Sequence, residues 1–342
     1  MSSTDRPELP APDDRGAPPS TPSPSRRRPP RVRSVPVRAG RILAVGGGKG
    51  GIGKTLLSAN LGIELSRRGM SVVLVDCDLG GANLHTALGV EPAKATLSDF
   101  VLRRVEDLHE VVTPTGIPNL EVVSGALDTL DIANPLYQQK LRLLRAVQGL
   151  EVDVVLLDLG AGTGFNVLDF FLLADHGLLT LVPEPTSVEN AYRFLKAAFY
   201  RRLKAVEQVY GLKRVFDAVG GARHPGVRSP MALLAAVRER DEAAAAILER
   251  EMKAFRPLLV VNQVREAPDL QVGPGVVAAW KRFFGLDLHY LGYLRHDDEA
   301  WRAIRSRRPL LLERLDQPIA QDIAALADAL LALPPSRSAG EP

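Results

Sequence analysis

A glycine-rich loop between an apolar run and a helix-like segment most constrains what this chain can fold into. The loop, residues 46–55, reads Gly-Gly-Gly-Lys-Gly-Gly-Ile-Gly-Lys-Thr. Glycines let the backbone adopt positive φ and close around oxygen atoms without a Cβ in the way. The first turn of a helix adds unpaired N–H groups and partial positive charge, which attract phosphate. The sequence therefore predicts a phosphate-binding loop between a strand and a helix, called the phosphate loop below.

Residues 48–55 match the nucleotide-binding pattern G-x-x-x-x-G-K-[ST] in full. In this pattern the lysine, here Lys54, reaches the β- and γ-phosphates, and the hydroxyl of Thr55 binds Mg²⁺. The predicted nucleotide-binding residues of the loop are Gly48, Lys49, Gly50, Gly51, Ile52, Gly53, Lys54, Thr55 and Leu56.

Two apolar segments predicted to be buried strands each end in a carboxylate. Residues 71–76 end at Asp76, and residues 154–157 precede Asp158. Ligands of parallel α/β sheets bind in the crevice at the carboxyl ends of the strands. We expect Asp158 to hold Mg²⁺ through water molecules, as carboxylates at this position do. The alternatives are a capping turn for the Asp76–Asp78 pair and a strand-end cap for Asp158.

Taken together, these motifs resemble those of the MinD/ParA family of P-loop ATPases, which have a deviant Walker A motif. The resemblance rests on Lys49 inside the loop, on D-x-D-x-x-x-x-N at residues 76–83 and on D-x-x-A-G at residues 158–162. Residues 183–188, Pro-Glu-Pro-Thr-Ser-Val, look most like the FlhG/FleN (MinD-like) branch. The resemblance covers roughly residues 40–333 and implies an α/β P-loop NTPase fold. Such a fold has a mostly parallel, twisted sheet with helices on both faces.

The resemblance also implies roles for single residues. Lys49 would act across a dimer interface on the partner's ATP; the alternative is a solvated loop lysine. Asp78 would orient or activate the attacking water, so the catalytic set is Lys49, Lys54 and Asp78. Asp76 would support the Mg²⁺ side, so the metal set is Thr55, Asp76 and Asp158.

Two further segments carry implied roles in sensing and binding the nucleotide. Asn83 would lie near the phosphates, and Gly160, Ala161 and Gly162 would form the switch whose backbone senses the γ-phosphate. Asn262, at the end of an apolar strand, would contact adenine, because a side-chain amide can both donate to and accept from a purine edge. A turn residue at a strand end is the alternative for Asn262.

The implied function is an ATPase switch that dimerises with Mg-ATP and controls the placement or number of a structure such as flagella or the division site. Hydrolysis would be slow and stimulated by an unidentified protein partner. A membrane surface or DNA stays open as a further partner of the homodimer. The alternative is a ParA-like partition ATPase that binds nucleic acid through its dimer and a basic N-terminal arm. A scaffold that does not hydrolyse ATP is disfavoured by the presence of Asp78 and Asp158.

Composition excludes several classes of protein. The single cysteine, Cys77, excludes an internal disulfide and fits a reducing compartment. Iron–sulfur proteins that resemble this family need interface cysteines, so no cluster is expected. The sequence has no apolar run of about 18 residues and no secretory leader. We therefore expect a cytoplasmic protein, and a peripheral position at the inner face of the membrane stays open.

The ends of the chain differ in composition from its centre. Residues 1–39 are rich in proline, serine and arginine, and such a segment cannot bury enough apolar surface to fold. Residues 26–38 hold six arginines and no acid, which suits either an electrostatic contact or a solubilising tail. We expect a disordered arm over residues 1–39, an ATPase domain over residues 40–333 and a disordered tail over residues 334–342.

Two helical segments lie outside the motifs. Residues 197–256 predict a helical excursion at the periphery of the sheet, with a turn at residues 227–230 and one long helix over residues 231–255. A solvated helical pair is favoured there over a partner-binding site. Near the C-terminus an apolar stripe at helical spacing predicts core packing, with Asp322 and Asp328 on the polar face. That stripe comprises Ile319, Ile323, Leu326, Leu330 and Leu331.

Overall fold

A mixed, mostly parallel sheet organises the residues that a computed structural model describes, which are 40–78, 81–91, 93–125, 137–219 and 229–334. The predicted arm over residues 1–39 and the predicted tail beyond residue 334 lie outside the described residues. The strands are β1 (Arg41–Gly46), β2 (Val72–Asp76), β3 (Val112–Pro114), β4 (Leu120–Val123), β5 (Val154–Asp158), β6 (His176–Leu181), β7 (Leu258–Val264) and β8 (His289–Arg295). They form one eight-stranded sheet in the order β3-β4-β2-β5-β1-β6-β7-β8.

Thirteen described helices connect and cover these strands. They are α1 (Lys54–Arg67), α2 (Leu84–Leu88), α3 (Leu97–Val101), α4 (Tyr137–Gln148), α5 (Phe165–Leu173), α6 (Pro185–Val209), α7 (Lys213–Ala218), α8 (Pro230–Arg238), α9 (Glu242–Ala254), α10 (Val272–Phe284), α11 (Asp298–Ser306), α12 (Leu310–Glu313) and α13 (Pro318–Ala332). Short 3₁₀ helices lie at residues 108–111 and 267–271. Among the described residues, no helix has the length and apolar character needed to span a bilayer.

Both faces of the sheet are buried, and alternate residues of each strand point to opposite cores. In β1, Ile42 and Ala44 belong to the core that includes α5, α6, α9 and α10. Leu43 and Val45 belong to the core on the other face, which includes α1 and α13. A strand covered on both faces has no polar side, and this explains the uninterrupted apolar runs in the sequence. The predicted fold, a mostly parallel sheet with helices on both faces, is confirmed.

The strand order places the predicted site at the middle of the sheet. Strand β5 lies between β1 and β2, with Val45 opposite Asp158 and Asp76 opposite Asp158. All pairs are parallel except β3–β4. The carboxyl ends of β1, β2 and β5 therefore meet, and the phosphate loop leaves the end of β1 there. The antiparallel edge strand β3 was not predicted, because three residues are too few for a periodic pattern.

The predicted long helix over residues 231–255 is wrong, since the chain forms the two helices α8 and α9. The side chain of Asp241 accepts a hydrogen bond from the Ala244 amide at 2.9 Å and so begins the second helix. The hairpin is not a solvated pair either, because Leu233, Val237 and Leu248 are buried in the core of its face. Most of the predicted turn at residues 227–230 lies outside the described residues.

Helix α13 packs as its apolar stripe predicts. Ile319, Ile323, Leu326 and Leu330 are buried, which confirms core packing. The placement of Asp322 on an exposed polar face is wrong. Asp322 is 7% exposed and accepts hydrogen bonds from the backbone and guanidinium of Arg295 at 2.7–3.2 Å. This ion pair joins α13 to the end of β8.

Candidate functional site

The phosphate loop needs its glycines at two points for steric reasons. Gly53 has φ 85° and directly precedes α1, and Gly51 has φ 74°. A Cβ on Gly48 would lie 2.2 Å from the carbonyl oxygen of Asn190 in α6. A side chain at Gly48 would therefore push the loop away from α6, and a side chain at Gly53 would strain the turn into α1.

Lys54 is the buried cation of the loop. Lys54 is the first residue of α1 and is 8% exposed. Its Nζ lies 3.5 Å from the Lys49 carbonyl oxygen. Burial lowers the pKa of Lys54, and the charges of Asp158 and Asp78 oppose that shift. The ammonium thus lies near a loop carbonyl and within the electrostatic influence of two carboxylates, on the first residue of a helix.

Asp158 anchors the metal side of the predicted site. Its carboxylate is 2% exposed and accepts hydrogen bonds from the hydroxyls of Thr55 and of Ser58, the latter at 2.9 Å. Burial raises the pKa of Asp158 to about 6, against the opposing effects of these hydroxyls and of Lys54. Ser58 was missed by the sequence analysis. Its spacing of three residues from Thr55, on one face of α1, was the available signal.

Asp76 organises the chain that follows β2. It is fully buried, and its two oxygens accept hydrogen bonds from the amides of Asp78 at 3.1 Å and Leu84 at 3.0 Å. Burial, reinforced by the neighbouring charge of Asp158, raises its pKa to about 7. Its oxygens are thus committed to backbone amides, and its predicted support of Mg²⁺ stays a prediction.

The two predicted switch segments meet at Asp78. A Cβ on Gly160 would lie 3.1 Å from Asp78 Oδ1, so the carboxylate lies directly against the glycine backbone. Gly162 has φ 90°, and its amide donates to the Gly47 carbonyl of the phosphate loop at 3.1 Å. Ala161 lies beside the loop, with its Cβ 4.0 Å from the position a Cβ on Gly50 would take. The second switch segment is therefore bonded to the loop, and the first contacts the second.

Asn83 forms a hydrogen bond within the segment that follows β2. Its side-chain amide donates to the Gly81 carbonyl at 2.6 Å, within its own loop. Its predicted position near the phosphates stays a prediction.

Lys49 lies at the surface in an ion pair that sequence reasoning missed. Its side chain is 44% exposed, and Nζ lies 3.3 Å from Glu184 Oε2. Glu184 directly precedes α6, within the Pro-Glu-Pro segment that the sequence analysis used only as a sign of lineage. An exposed pair of this kind contributes little free energy, so Lys49 can leave it at small cost.

Asn262 contacts the phosphate loop from β7. It is 2% exposed, and its Nδ2 donates to the Ile52 carbonyl at 2.8 Å. Its Oδ1 accepts from the amide of Gln263 at 2.8 Å, where Gln263 has φ 60°. Both ends of the amide thus bond to backbone, and the predicted contact with adenine stays a prediction.

The residues present fit a magnesium–nucleotide site. Within the described part of the chain, no three His, Cys, Asp or Glu side chains cluster as metal ligands. Mg²⁺ at nucleotide sites does not require such a cluster, because it keeps several waters and uses one or two protein groups plus phosphate oxygens. Thr55 and Asp158, bonded to each other beside Lys54, provide those groups. A cation there would also favour the ionised form of Asp158, which burial opposes.

The chain resembles two curated proteins over about half of its length. The antiactivator FleN of Pseudomonas aeruginosa is 37% identical over 158 residues, which cover 46% of this chain and 55% of FleN. The flagellum site-determining protein YlxH of Helicobacter pylori is 28% identical over 165 residues, or 46% of this chain and 53% of YlxH. The chain thus spans about half the length of the curated relatives it matches.

A solved structure with the same fold is the septum site-determining protein MinD of Pyrococcus horikoshii, complexed with Mg-ADP. It has a TM-score of 0.57 at 20% identity and covers 85% of this chain and 95% of that one. At this identity the likeness shows the fold alone.

A family model decides the classification. Residues 43–274, more than half of the 342 residues, match the model described as the CobQ/CobB/MinD/ParA nucleotide binding domain. The match contains the phosphate loop from its first glycine to Thr55, together with Asp158 and Asn262. It agrees with the predicted resemblance to the MinD/ParA family and, through FleN and YlxH, to its FlhG/FleN branch. The chain belongs to the CobQ/CobB/MinD/ParA family of nucleotide-binding domains.

Proposed function

We propose that this chain is a switch ATPase that dimerises when it binds Mg-ATP and thereby controls the placement or number of a cellular structure such as flagella or the division site. The observation that carries the proposal is the meeting of Lys54, Asp78 and Asp158 beside the phosphate loop at the middle of the sheet. The name of YlxH, a flagellum site-determining protein, supports flagella as the structure. In this proposal residues 40–333 form the ATPase domain, with the arm and the tail outside it.

ATP binding is assigned to the phosphate loop and the start of α1. The loop amides and Lys54 hold the β- and γ-phosphates, and Thr55 and Asp158 hold the metal side. Mg²⁺, when bound there, neutralises charge that develops on the phosphate oxygens. Asn262 keeps the loop in its binding geometry through the Ile52 carbonyl.

Hydrolysis is assigned to Asp78, which orients the attacking water beside the γ-phosphate. Its carboxylate lies against Gly160, so a change at the second switch segment reaches it directly. Lys54 and the loop amides stabilise the transition state as preorganised positive charge. Turnover is slow in the chain alone and rises with a protein partner that recognises the dimer.

Dimerisation is assigned to Lys49. Its exposed position lets it leave Glu184 and reach the nucleotide of a second copy, where the phosphate charge is larger. Binding of ATP then assembles the dimer, and hydrolysis releases it.

Sedimentation velocity with ADP or ATP and Mg²⁺ tests this proposal. We expect wild type to be monomeric with ADP and Asp78→Ala to form a stable dimer with ATP. Lys49→Ala should abolish both the dimer and hydrolysis. Lys204→Ala is the matched control, because Lys204 is also an exposed lysine paired with a glutamate.

Three outcomes would count against the proposal. A monomer in every nucleotide state would contradict a switch that works by dimerisation. Full ATPase activity in Lys49→Ala would contradict the proposed action of Lys49 on the partner's ATP. DNA binding that depends on ATP and falls steeply with salt would favour the partition ATPase instead.

A further inference from the structure

A cavity of about 620 Å³ opens at the amino-terminal edge of the sheet, opposite the phosphate loop. The first residues of three neighbouring strands line it: His176 of β6, Leu258 of β7 and His289 of β8. The ends of α5 and α9, Arg202 of α6 and residues 333–334 after α13 complete its walls. Its volume lies within the range of pockets that hold small molecules. None of its lining residues belongs to the nucleotide site.

The cavity combines an apolar interior with a basic rim. Phe171, Phe255 and Leu258 line it and are nearly fully buried. Lys253, Arg256 and His289 line it from exposed positions, and Arg202 lies between the two zones.

Acidic groups offset two of the three Arg and Lys charges, because Arg202 and Lys253 pair with Glu251 and Glu249. Asp175 also lines the cavity and accepts a hydrogen bond from the Ile42 amide at 2.8 Å. Among the described residues Arg256 forms no ion pair, and its Nε donates to the Lys253 carbonyl at 2.9 Å. An apolar interior beside this guanidinium complements a molecule that has an apolar body and an anionic head.

We propose that this cavity binds an amphipathic organic anion, with its apolar body against Phe171, Phe255 and Leu258 and its anionic head at Arg202 and Arg256. The guanidinium of Arg256, which forms no ion pair among the described residues, selects an anion over a neutral or cationic molecule. The concave shape and the volume of about 620 Å³ select a soluble small molecule over a flat membrane surface. The site is separate from the nucleotide site and does not depend on the proposed ATPase function.

Calorimetric titration of the full-length protein with decanoate tests the site. We expect saturable binding of one decanoate per chain, with decanol and decylammonium at least tenfold weaker. Mg-ATP should not compete. Equal affinity for decanoate and decanol would overturn the recognition of an anion, and the absence of saturable binding would overturn the site.

Two pairs of variants locate the binding. Ala254→Trp places a large side chain at the rim from an exposed position on α9 and should weaken decanoate binding at least tenfold. Ala246→Trp, also exposed on α9 but outside the cavity, should leave it unchanged. Arg256→Gln should weaken binding about fivefold, and Arg250→Gln, outside the cavity, should not. An unchanged midpoint of urea unfolding shows that each variant is folded.

Two results would overturn the assignment. Wild-type affinity in Ala254→Trp would place decanoate elsewhere on the protein. Binding to vesicles of phosphatidylglycerol without binding to decanoate would place the anion at a lipid surface rather than in the cavity.

Discussion

At the scale of single residues, two roles of Asn262 can be separated by mutation. A contact with adenine and a contact with the phosphate loop predict different effects on ligand binding. Its amide bonds to the Ile52 carbonyl of the phosphate loop, and a Cβ on Gly53 would lie 2.2 Å from its Nδ2. A residue that holds the loop affects every ligand with phosphates. A residue that contacts adenine affects only ligands that carry the base.

Asn262→Ala should weaken the binding of ATP and of tripolyphosphate by the same factor. Removing the amide leaves a buried carbonyl without its donor, which costs about 1–3 kcal/mol. Fluorescence competition with both ligands measures the two affinities. If the variant binds tripolyphosphate as wild type does but binds ATP more weakly, Asn262 contacts the base instead.

The buried carboxyls of Asp158 and Asp76 make the stability of the nucleotide-free protein depend on pH. Burial raises their pKa values to about 6 and about 7, above the usual aspartate value of 3.8. At a pH between the unfolded-state pKa of 3.8 and these raised values, the folded state binds more protons than the unfolded state. The stabilisation by protonation is therefore complete below about pH 4 and is lost as pH rises through 6 to 7.

Urea unfolding of wild type and Asp158→Asn at pH 5 and pH 8, without nucleotide or metal, tests this dependence. Asp158→Asn cannot ionise at this position. The free energy of unfolding should therefore fall by about 1 kcal/mol more in wild type than in the variant between pH 5 and pH 8. The comparison removes the contributions of groups that titrate alike in both proteins. An equal loss in both would show that Asp158 ionises normally in the folded state.

At the scale of elements, the α8–α9 hairpin is part of the core, contrary to its charged and alanine-rich sequence. Leu248→Ala should lower the free energy of unfolding by about 2–5 kcal/mol, because its side chain is fully buried. Met231→Ala on the same hairpin is the control, since Met231 is 48% exposed and should cost about 1 kcal/mol or less. Urea unfolding measures both values. Equal, small losses would mean that the hairpin is peripheral after all.

The elements themselves were largely predictable, and their ends less so. The central strands carry uninterrupted apolar runs, and α1 follows a glycine loop, so both are determined locally. The break between α8 and α9 was missed, because residues 239–241 are compatible with a helix and the Asp241 cap competes with its continuation. Periodicity cannot decide between two such local states.

At the scale of the whole molecule, ligand binding and dimerisation should both appear in thermal stability. A ligand at 100 times its Kd stabilises the folded state by about 2.7 kcal/mol. Mg-ATP at that concentration should therefore raise the Tm of Asp78→Ala by about 5–10 °C. With ATP the Tm should also rise with protein concentration, and with ADP it should not.

Differential scanning calorimetry at several protein concentrations checks this. The double variant Asp78→Ala with Lys49→Ala should keep the shift caused by ATP and lose its dependence on concentration. A concentration dependence that is the same with ADP and ATP would mean that dimerisation is not controlled by the γ-phosphate.

By itself, the sequence determined the features that neighbouring residues specify. The phosphate loop needs glycines and a lysine within ten residues, and each central strand needs only its own apolar run and a terminal carboxylate. These patterns were sufficient for the fold class, for the location of Lys54, Asp78 and Asp158, and for the family.

Only the tertiary structure decided the contacts between distant residues. Lys49 pairs with Glu184, 135 residues away, and Asn262 bonds to Ile52, 210 residues away. The cavity likewise joins Arg202, Arg256 and His289 from separate parts of the chain. No local pattern encodes these pairs, because a hydrogen bond or ion pair between distant residues exists only after packing of the sheet and helices has brought them within about 3 Å.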